Sequence, residues 1–233
     1  MRKRQRLGQH FLTSSLVAKK IVEAAEITKK DTVLEIGTGK GILLPLLCQK
    51  ANNVISIETD STLYKEVNDK FAEIPNLVLI HGDGFKTDEK FSIFVSNLPY
   101  SKSRKAMEWL VQKKYSTAVV MVQKEFYEKL SAKGKNRKAV SILVNYSIEI
   151  EKISNVNKNN FTPSPKVDSV VLKFSSKKTL SKELIHTVNK LFSYKRKSLQ
   201  NILKQFGKKI DSNKRLEEIS SEEIIDIAKQ IIK

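Results

Sequence analysis

The sequence predicts an α/β fold in which an open, mostly parallel sheet carries helices on both faces, followed by a small C-terminal helical domain. Short apolar runs alternate with helical patterns up to residue 174. A glycine-rich turn at residues 37–41 joins the first of these runs to a helix. After residue 176 the chain becomes lysine-rich and helical in period. We therefore expect two domains, 1–176 and 177–233, a natural division for 233 residues.

The individual elements follow from local patterns. A helix is predicted over residues 13–26, with Ser and Thr at its start, and another over 42–49. Five short apolar runs predict parallel strands, at residues 33–36, 53–57, 77–80, 91–95 and 118–122. Two further strands are expected to complete the sheet, with antiparallel pairing at its edge, at residues 142–146 and 167–174. The C-terminal domain is expected to consist of three helices, at residues 182–193, 195–206 and 221–232.

The glycine-rich turn contains Gly37, Gly39 and Gly41. Glycine at these positions lets the backbone bend sharply and approach a ligand closely. In the dinucleotide-binding fingerprint the third glycine comes three residues after the second. Here it comes two residues later, with Lys40 between them. The spacing therefore disfavours an NAD-dependent oxidoreductase, and no group of residues for accepting a hydride is evident.

Acidic side chains follow the second and third predicted strands. Glu58 is placed to accept hydrogen bonds from a ribose diol, and Asp83 to accept one from the amino group of an adenine. A single acid at a strand end is more often a solvated cap. Here Gly37, Glu58, Asp83 and Asn97 end four successive strands, at the sheet edge where open α/β folds bind ligands. The set therefore predicts a ligand site.

The segment Asn97-Leu98-Pro99-Tyr100 ends the fourth strand. Pro99 stops the strand and stiffens the turn after it. The Asn97 side-chain oxygen and the Leu98 carbonyl can each accept one hydrogen from an exocyclic amine. Tyr100 can stack on the base, a contact worth about 1–3 kcal/mol. Because Asn and Pro are common turn residues, an ordinary strand-to-loop turn is the alternative.

These segments resemble the rRNA adenine N6-dimethyltransferase family, and within it the small-subunit (KsgA) type. The similarity covers roughly residues 5–174 and is carried by several separate blocks: Gln5–Leu12, Glu35–Gly41, Glu58, Asp83, Ser96–Tyr100, Val122–Glu125 and Asn160–Ser169. A weaker match follows at Phe192–Leu199. Three features depart from the family pattern: the segment Arg137–Ser141, Ser101 in place of an asparagine, and a short C-terminal region. We assign no role to Arg137–Ser141 from the resemblance.

The resemblance implies a Rossmann-like class I methyltransferase sheet. It also implies dimethylation at N6 of two adjacent adenines in the 3′-terminal hairpin of small-subunit (16S) rRNA, within an immature ribosomal particle. S-adenosylmethionine would be the methyl donor, with no metal. The cofactor positions carried over are His10, Leu12, Gly37, Glu58, Asp83 and Asn97, with Gln9 as an addition. The catalytic segment would be Asn97, Leu98, Pro99 and Tyr100. Phe161 would be a second aromatic at the target base, the alternative being a core phenylalanine.

The charge distribution favours a polyanionic partner. The chain has a formal charge of +18 and a pI near 9.8. Residues 51–100 contain four basic and eight acidic side chains, whereas residues 177–215 contain twelve and two. We expect RNA contacts at Lys102, Arg104 and Lys105 and at Lys195, Arg196 and Lys197. Basic residues also cluster at 2–6 and at 133–138. For each cluster a solvated surface is the alternative, and the N-terminal one also resembles a nuclear localisation signal.

Composition limits the remaining classes. The lone cysteine, Cys48, excludes a disulfide framework and fits a reducing compartment, with core packing as its expected role. The three histidines are too far apart to suggest a zinc site. No apolar stretch is long enough for a membrane span, so we expect a cytoplasmic protein without a membrane partner. We also expect the protein to be a monomer.

Two alternatives to the small-subunit enzyme stay open besides the oxidoreductase. One is a resistance-type methyltransferase acting on large-subunit rRNA, against which the Lys166–Ser169 segment and the compact basic tail argue. The other is a non-catalytic relative that binds nucleic acid through the same fold. The intact Asn97–Tyr100 segment, Glu58 and Asp83 argue against that one.

Overall fold

The computed structural model describes residues 10–232. These residues form two compact units. The sheet unit comprises the described residues up to Ala106 together with Lys114–Lys124 and Ile150–Ser176. The helical unit comprises Met107–Lys113, Glu125–Glu149 and the described residues from Lys177 onward. One passage between the units thus falls at the boundary expected after residue 176, and the assignment of separate functions to 1–176 and 177–233 stays a prediction.

A seven-stranded sheet in the order β4-β3-β2-β5-β6-β9-β7 forms the centre of the sheet unit. Its strands are β2 (Thr32–Ile36), β3 (Asn53–Glu58), β4 (Leu77–His81), β5 (Ile93–Asn97), β6 (Thr117–Gln123), β7 (Ile148–Val156) and β9 (Ser169–Ser176). The first five pair in parallel, and β9 pairs antiparallel to β6, as predicted. The apolar side chains of β2, β3, β5, β6 and β9 are almost all buried, which explains why these strands read as continuous apolar runs. The edge strand β4 is only partly buried, with Val78 53% exposed.

The strand order reverses direction at β2. From this strand the chain passes outward to β3 and β4 on one side, and later to β5 and β6 on the other. The ends of β2 and β5 therefore flank the topological switch point, where open α/β sheets bind their ligands. Gly37 follows β2 and Asn97 ends β5, so both of these predicted site residues lie at that point.

A separate two-stranded sheet joins distant parts of the sequence. Strand β1 (Phe11–Leu12) pairs antiparallel with β8 (Phe161–Thr162). The Thr13 amide and hydroxyl both donate to the Asn160 carbonyl, at 2.8 and 3.0 Å. The described end of the N-terminal block, residues 10–12, thus pairs with the start of the Asn160–Ser169 block, the other segment that carried the resemblance.

The helices are α1 (Ser15–Ala24), α2 (Leu44–Lys50), α3 (Ser61–Phe71), α4 (Ser103–Leu110), α5 (Lys124–Leu130), α6 (Ala139–Ser147), α7 (Lys182–Ser193), α8 (Leu199–Lys204) and α9 (Ser221–Ile232). Side-chain caps fix several starts: Ser14 accepts the Val17 amide, and Asp60 accepts the Thr62 and Leu63 amides. Cys48 is buried in the core, as predicted. None of the helices within residues 10–232 is long and apolar enough to span a bilayer.

The predicted strand at residues 142–146 was wrong, because this segment lies in α6. Its β-branched and aromatic residues favour a strand locally. The helix is buried on most of its surface, from Ala139 to Val144, so its sequence shows no amphipathic period. The strand follows instead as β7, whose alternation begins with Ile148-Glu149-Ile150-Glu151. Helix α8 is also shorter than the predicted 195–206.

The segment that departs from the family pattern has a structural role in the helical unit. The Arg137 guanidinium donates to the carbonyls of Leu216 and Ile219, at 2.8 and 2.6 Å. At the start of α6, the Ser141 hydroxyl accepts the Lys138 amide at 3.0 Å. Arg137 therefore ties the chain before α6 to the segment before α9.

Candidate active site

A small cavity of about 60 Å³ lies at the ends of β2 and β5. It brings together five predicted cofactor residues from four separate parts of the sequence, with Pro99 beside them; the five are His10, Leu12, Gly37, Glu58 and Asn97. A larger cavity of about 570 Å³ shares Gly37, Glu58 and Pro99 as lining residues and adds Asp83, Leu98 and Lys102. The second volume is in the range of small-molecule sites.

The glycine-rich turn is shaped by Glu58. The Gly39 amide donates to Glu58 Oε2 and the Asp60 amide to Oε1, each at 2.9 Å. Gly39 has a φ of +58°, and a Cβ there would lie 3.3 Å from Phe11 Cδ1. A side chain at Gly39 would thus be strained and crowded. Glu58 is 6% exposed, and each oxygen keeps a lone pair for a further donor.

Asp83 is more open than Glu58, with 36% of its side chain exposed. Its Oδ1 accepts the Phe85 amide at 3.1 Å and its Oδ2 accepts from Lys105 Nζ at 2.9 Å. Partial burial works to raise the pKa of Asp83, but the hydrogen bonds from Lys105 and Phe85 outweigh it and lower that pKa. Lys105, predicted as an RNA contact, is therefore placed against a predicted cofactor residue.

His10 and Tyr100 lie against each other beside the small cavity. Their ring centroids are 5.4 Å apart with the planes tilted by 30°. His10 Nδ1 lies 2.7 Å from the Pro163 carbonyl oxygen, to which it can donate. The Tyr100 hydroxyl lies 2.8 Å from Ser169 Oγ. Burial is the main cause that raises the pKa of Tyr100, so its phenol stays neutral. Tyr100 is thus fixed from two sides by residues of the N-terminal and Asn160–Ser169 blocks.

The structure favours the core role for Phe161. This side chain in β8 is 3% exposed and packs in the main hydrophobic cluster with Leu12 and Val156. It offers no open face to a base in this arrangement, because its neighbours already cover the ring. Of the two aromatic residues predicted at the target base, Tyr100 is the one that remains a candidate stacking platform.

Sequence reasoning missed Glu35 and Thr38, which also line the small cavity. Ser56 Oγ donates to Glu35 Oε2 at 2.6 Å, and the hydroxyls of Thr38 and Ser56 lie 2.6 Å apart. Burial raises the pKa of Glu35 to about 8, helped by nearby Glu58 and opposed by the Ser56 hydrogen bond. The signal in the sequence was Glu35 itself, because an acidic residue inside the apolar run of β2 needs buried hydrogen-bond partners.

The remaining predicted RNA contacts lie in different surroundings. Lys102 and Arg104 are both exposed. Arg104 lies in the first turn of α4, and Lys102 lies just before that helix. In the helical unit Arg196 and Lys197 are exposed and Lys195 is half-buried. Lys197 Nζ lies 5.2 Å from the centroid of the Tyr194 ring. The basic cluster at residues 2–6 and Gln9 fall outside the described residues.

No cluster of three or more His, Cys, Asp or Glu suited to a metal ion occurs between His10 and Ile232. The site includes carboxylates, hydroxyls, amides and the rings of His10 and Tyr100. These groups can hold hydroxyl and amine donors and orient a flat base.

The whole chain, residues 1–233, matches the sequence profile of the family described as ribosomal RNA adenine dimethylase. This chain belongs to that family. By family it is an rRNA adenine dimethyltransferase, and the resemblance seen in the sequence is confirmed. The predicted fold class is confirmed as well: a mixed seven-stranded Rossmann-like methyltransferase sheet with C-terminal helices.

Individual relatives agree with the family. A protein of Thermotoga maritima named Ribosomal RNA small subunit methyltransferase A is 35% identical, over 97% of this chain and 85% of its own length. A protein of the same name from Clostridium botulinum is 36% identical, over 86% of this chain and 79% of its own length.

Two solved structures show the same fold. A dimethyladenosine transferase from Plasmodium falciparum superposes with a TM-score of 0.73 and 36% identity, over 84% of this chain and 75% of that one. The 23S rRNA methyltransferase ErmE superposes with a TM-score of 0.69, over 96% of this chain and all of that one. At 22% identity, the second similarity concerns the fold alone.

Proposed function

We propose that this chain transfers methyl groups from S-adenosylmethionine to N6 of two adjacent adenines in the 3′-terminal hairpin of small-subunit rRNA. The observation that carries the proposal is the convergence of His10, Gly37, Glu58 and Asn97 on one cavity in a chain of this family. The names of the relatives point to the small subunit. An immature ribosomal particle as substrate, a monomeric state and a cytoplasmic location belong to the same proposal.

The residues present fit the cofactor. Glu58 and Asp83 lie along one cavity of about 570 Å³, and each carboxylate has acceptor positions left for a ribose hydroxyl or an adenine amine. His10, Leu12 and Gly37 line the adjoining small cavity, which would take the amino-acid end. When bound, S-adenosylmethionine supplies an electrophilic methyl group on a sulfonium centre.

Asn97 and Leu98 would orient the target amine. The N6 lone pair of adenine is delocalised into the ring, which makes this nitrogen a poor nucleophile. If the Asn97 side-chain oxygen and the Leu98 carbonyl each accept one N6 hydrogen, the nitrogen becomes more tetrahedral and its lone pair points at the methyl carbon. No strong general base is needed, because the amine becomes acidic as it is methylated. Catalysis would then rest on positioning and electrostatics.

Tyr100 would stack on the target base after it leaves any helical stack. The Ser169 hydroxyl and the His10 ring already hold Tyr100, so its face is fixed before RNA arrives. Fixing the ring in advance lowers the entropy lost on binding. Lys102 and Arg104 in the sheet unit and Lys195, Arg196 and Lys197 in the helical unit would contact the phosphate backbone.

The test is methylation in vitro of immature small-subunit particles, purified from cells that lack this gene, with nucleotide-level mapping. We expect label from S-adenosylmethionine at N6 of two adjacent adenines in the 3′-terminal hairpin. Large-subunit particles treated in parallel should stay unlabelled. Label on large-subunit adenines instead would favour the resistance-type activity, and absence of transfer to either particle would favour the non-catalytic alternative.

A further inference from the structure

Lys105 contacts a different partner from the one that its neighbours in the sequence predict. It belongs to the basic group Lys102, Arg104 and Lys105, which predicted a contact with RNA phosphate. In the structure its Nζ forms an ion pair with Asp83 Oδ2 at 2.9 Å. The same ammonium lies 4.9 Å from the centroid of the Phe85 ring. Two contacts to one wall of the larger cavity therefore hold this side chain.

Asp83 receives one donor on each carboxylate oxygen. The Phe85 amide donates to Oδ1 and Lys105 Nζ to Oδ2, at 3.1 and 2.9 Å. Because the two donors hold different oxygens, the carboxylate plane cannot rotate freely about the last side-chain bond. Each oxygen keeps acceptor capacity for one more hydrogen. Without Lys105, the Phe85 amide alone would hold the group.

We propose that Lys105 is a positioning residue of the cofactor pocket, which fixes the Asp83 carboxylate to receive the amino group of the cofactor's adenine. The inference rests on the proposed function, in which Asp83 binds that adenine. It assigns Lys105 to recognition of an adenosyl ligand rather than to RNA. An RNA phosphate would have to share this ammonium with Asp83 and the Phe85 ring.

The position of Asp83 matters most for discrimination at position 6 of the purine. An adenine presents a donor amine there, whereas a hypoxanthine presents a carbonyl oxygen, which repels a carboxylate. A well-oriented Asp83 should therefore favour S-adenosylhomocysteine over S-inosylhomocysteine. A loosely held carboxylate can turn away from the oxygen and should discriminate less.

The experiment measures binding of both ligands by isothermal titration to the full-length protein and to Lys105→Ala and Lys105→Arg variants. Lys90→Ala is the matched control, since Lys90 is an exposed lysine of the same unit. We expect Lys105→Ala to weaken S-adenosylhomocysteine binding about two- to fivefold, the range for a partly exposed ion pair. The preference of this variant for S-adenosylhomocysteine over the inosyl analogue should also decrease. Lys105→Arg should restore both the affinity and the preference.

Asp83→Ala distinguishes a failure of the Asp83 assignment from a failure of the Lys105 role. If Asp83 binds the adenine, Asp83→Ala alone weakens binding of the adenosyl ligand, and adding Lys105→Ala has no further effect. A normal affinity in Asp83→Ala would overturn the assignment of Asp83 and with it the role of Lys105. A weakened affinity in Asp83→Ala beside a Lys105→Ala variant equal to the control would overturn only the role of Lys105.

For RNA binding, in contrast to cofactor binding, we expect Lys105→Ala to behave like the control variant. The salt dependence of particle binding should be the same in Lys105→Ala as in Lys90→Ala. A decrease of the log–log slope by about 0.7–0.9 in Lys105→Ala, with unchanged ligand affinity, would instead make it a phosphate contact.

Discussion

In the sheet unit, carboxylates at strand ends are held by fixed donors, whereas in the helical unit exposed lysines lie over aromatic rings, an arrangement that Lys70 and Lys105 also show in the sheet unit. Glu58 is buried and accepts two backbone amides. By contrast, the exposed lysines 178, 190 and 197 lie 4.2, 4.9 and 5.2 Å from the centroids of Tyr146, Phe206 and Tyr194. Fixed carboxylates suit a small ligand with hydroxyl and amine donors. Ammonium groups that stay in water suit a long polyanion, whose phosphates can be met in more than one register.

The comparison predicts that single substitutions in the sheet unit have large effects on chemistry, and that effects in the helical unit accumulate over several side chains. The sheet unit depends on individual oxygens at defined positions. In the helical unit, by contrast, each lysine supplies one part of a salt-dependent attraction.

The largest effect is expected for Asn97→Ala. Removing one positioned acceptor at a transition state costs about 10²–10³ in rate, so methyl transfer to small-subunit particles should fall by that factor. Cofactor binding should weaken but stay measurable by titration, because His10, Gly37 and Glu58 still line the cavity. A near wild-type rate of methyl transfer in a single-turnover assay would show that Asn97 does not orient the target amine.

Glu58→Ala should weaken cofactor binding by about 10- to 100-fold, because hydrogen bonds to a charged group contribute about 1.5–3 kcal/mol. Glu58 also holds the Gly39 and Asp60 amides, so part of the loss could come from the turn itself. A 2′-deoxyribose analogue of S-adenosylhomocysteine separates the two causes. The wild type should bind this analogue more weakly than S-adenosylhomocysteine. Glu58→Ala should bind the two ligands equally. Equal binding of both ligands to the wild type would show that the carboxylate serves only the turn.

Much of the sheet unit could be predicted because its central strands are buried on both faces and its ligand residues follow the strands directly. Glu58 and Asn97 end their strands, so the parallel order alone places them at one edge. The Ser169–Tyr100 and Lys105–Asp83 contacts could not be predicted, because they join residues 69 and 22 positions apart through side chains. Helix α6 was missed since its burial on most sides removes the period that identifies a helix.

In the helical unit, replacing Lys195, Arg196 and Lys197 together by alanine should reduce the log–log salt slope of particle binding by about 2 to 3. When the salt concentration rises from about 50 to 200 mM, the wild type should lose affinity by a factor that is about 20 to 40 times larger than the factor for the triple variant. Cofactor affinity should be unchanged. The charge-matched control replaces the exposed lysines 50, 65 and 90 of the sheet unit. If the two triple variants give the same slope as the wild type, the tail is a solvated surface and the RNA contacts lie elsewhere.

The smallest expected effect concerns stability and Glu35. Burial raises its pKa from an ordinary 4.5 to about 8 in the folded protein. Between these two values the folded state binds the proton more tightly than the unfolded state, so the free energy of unfolding falls as the pH rises. The slope is at most about 1.4 kcal/mol per pH unit for one group.

Glu35→Gln should flatten that slope, because an amide keeps the shape of the neutral acid and cannot ionise. Urea unfolding at about pH 5.5, 6.5 and 7.5 measures the free energy directly. Glu217→Gln, at an exposed position of the helical unit, is the control with the same change of charge. A wild-type slope in Glu35→Gln would mean that Glu35 is ionised in the folded protein across this range. The hydroxyls of Ser56 and Thr38 would then have to stabilise a buried charge beside Glu58, and the small cavity would carry two negative charges before any ligand binds.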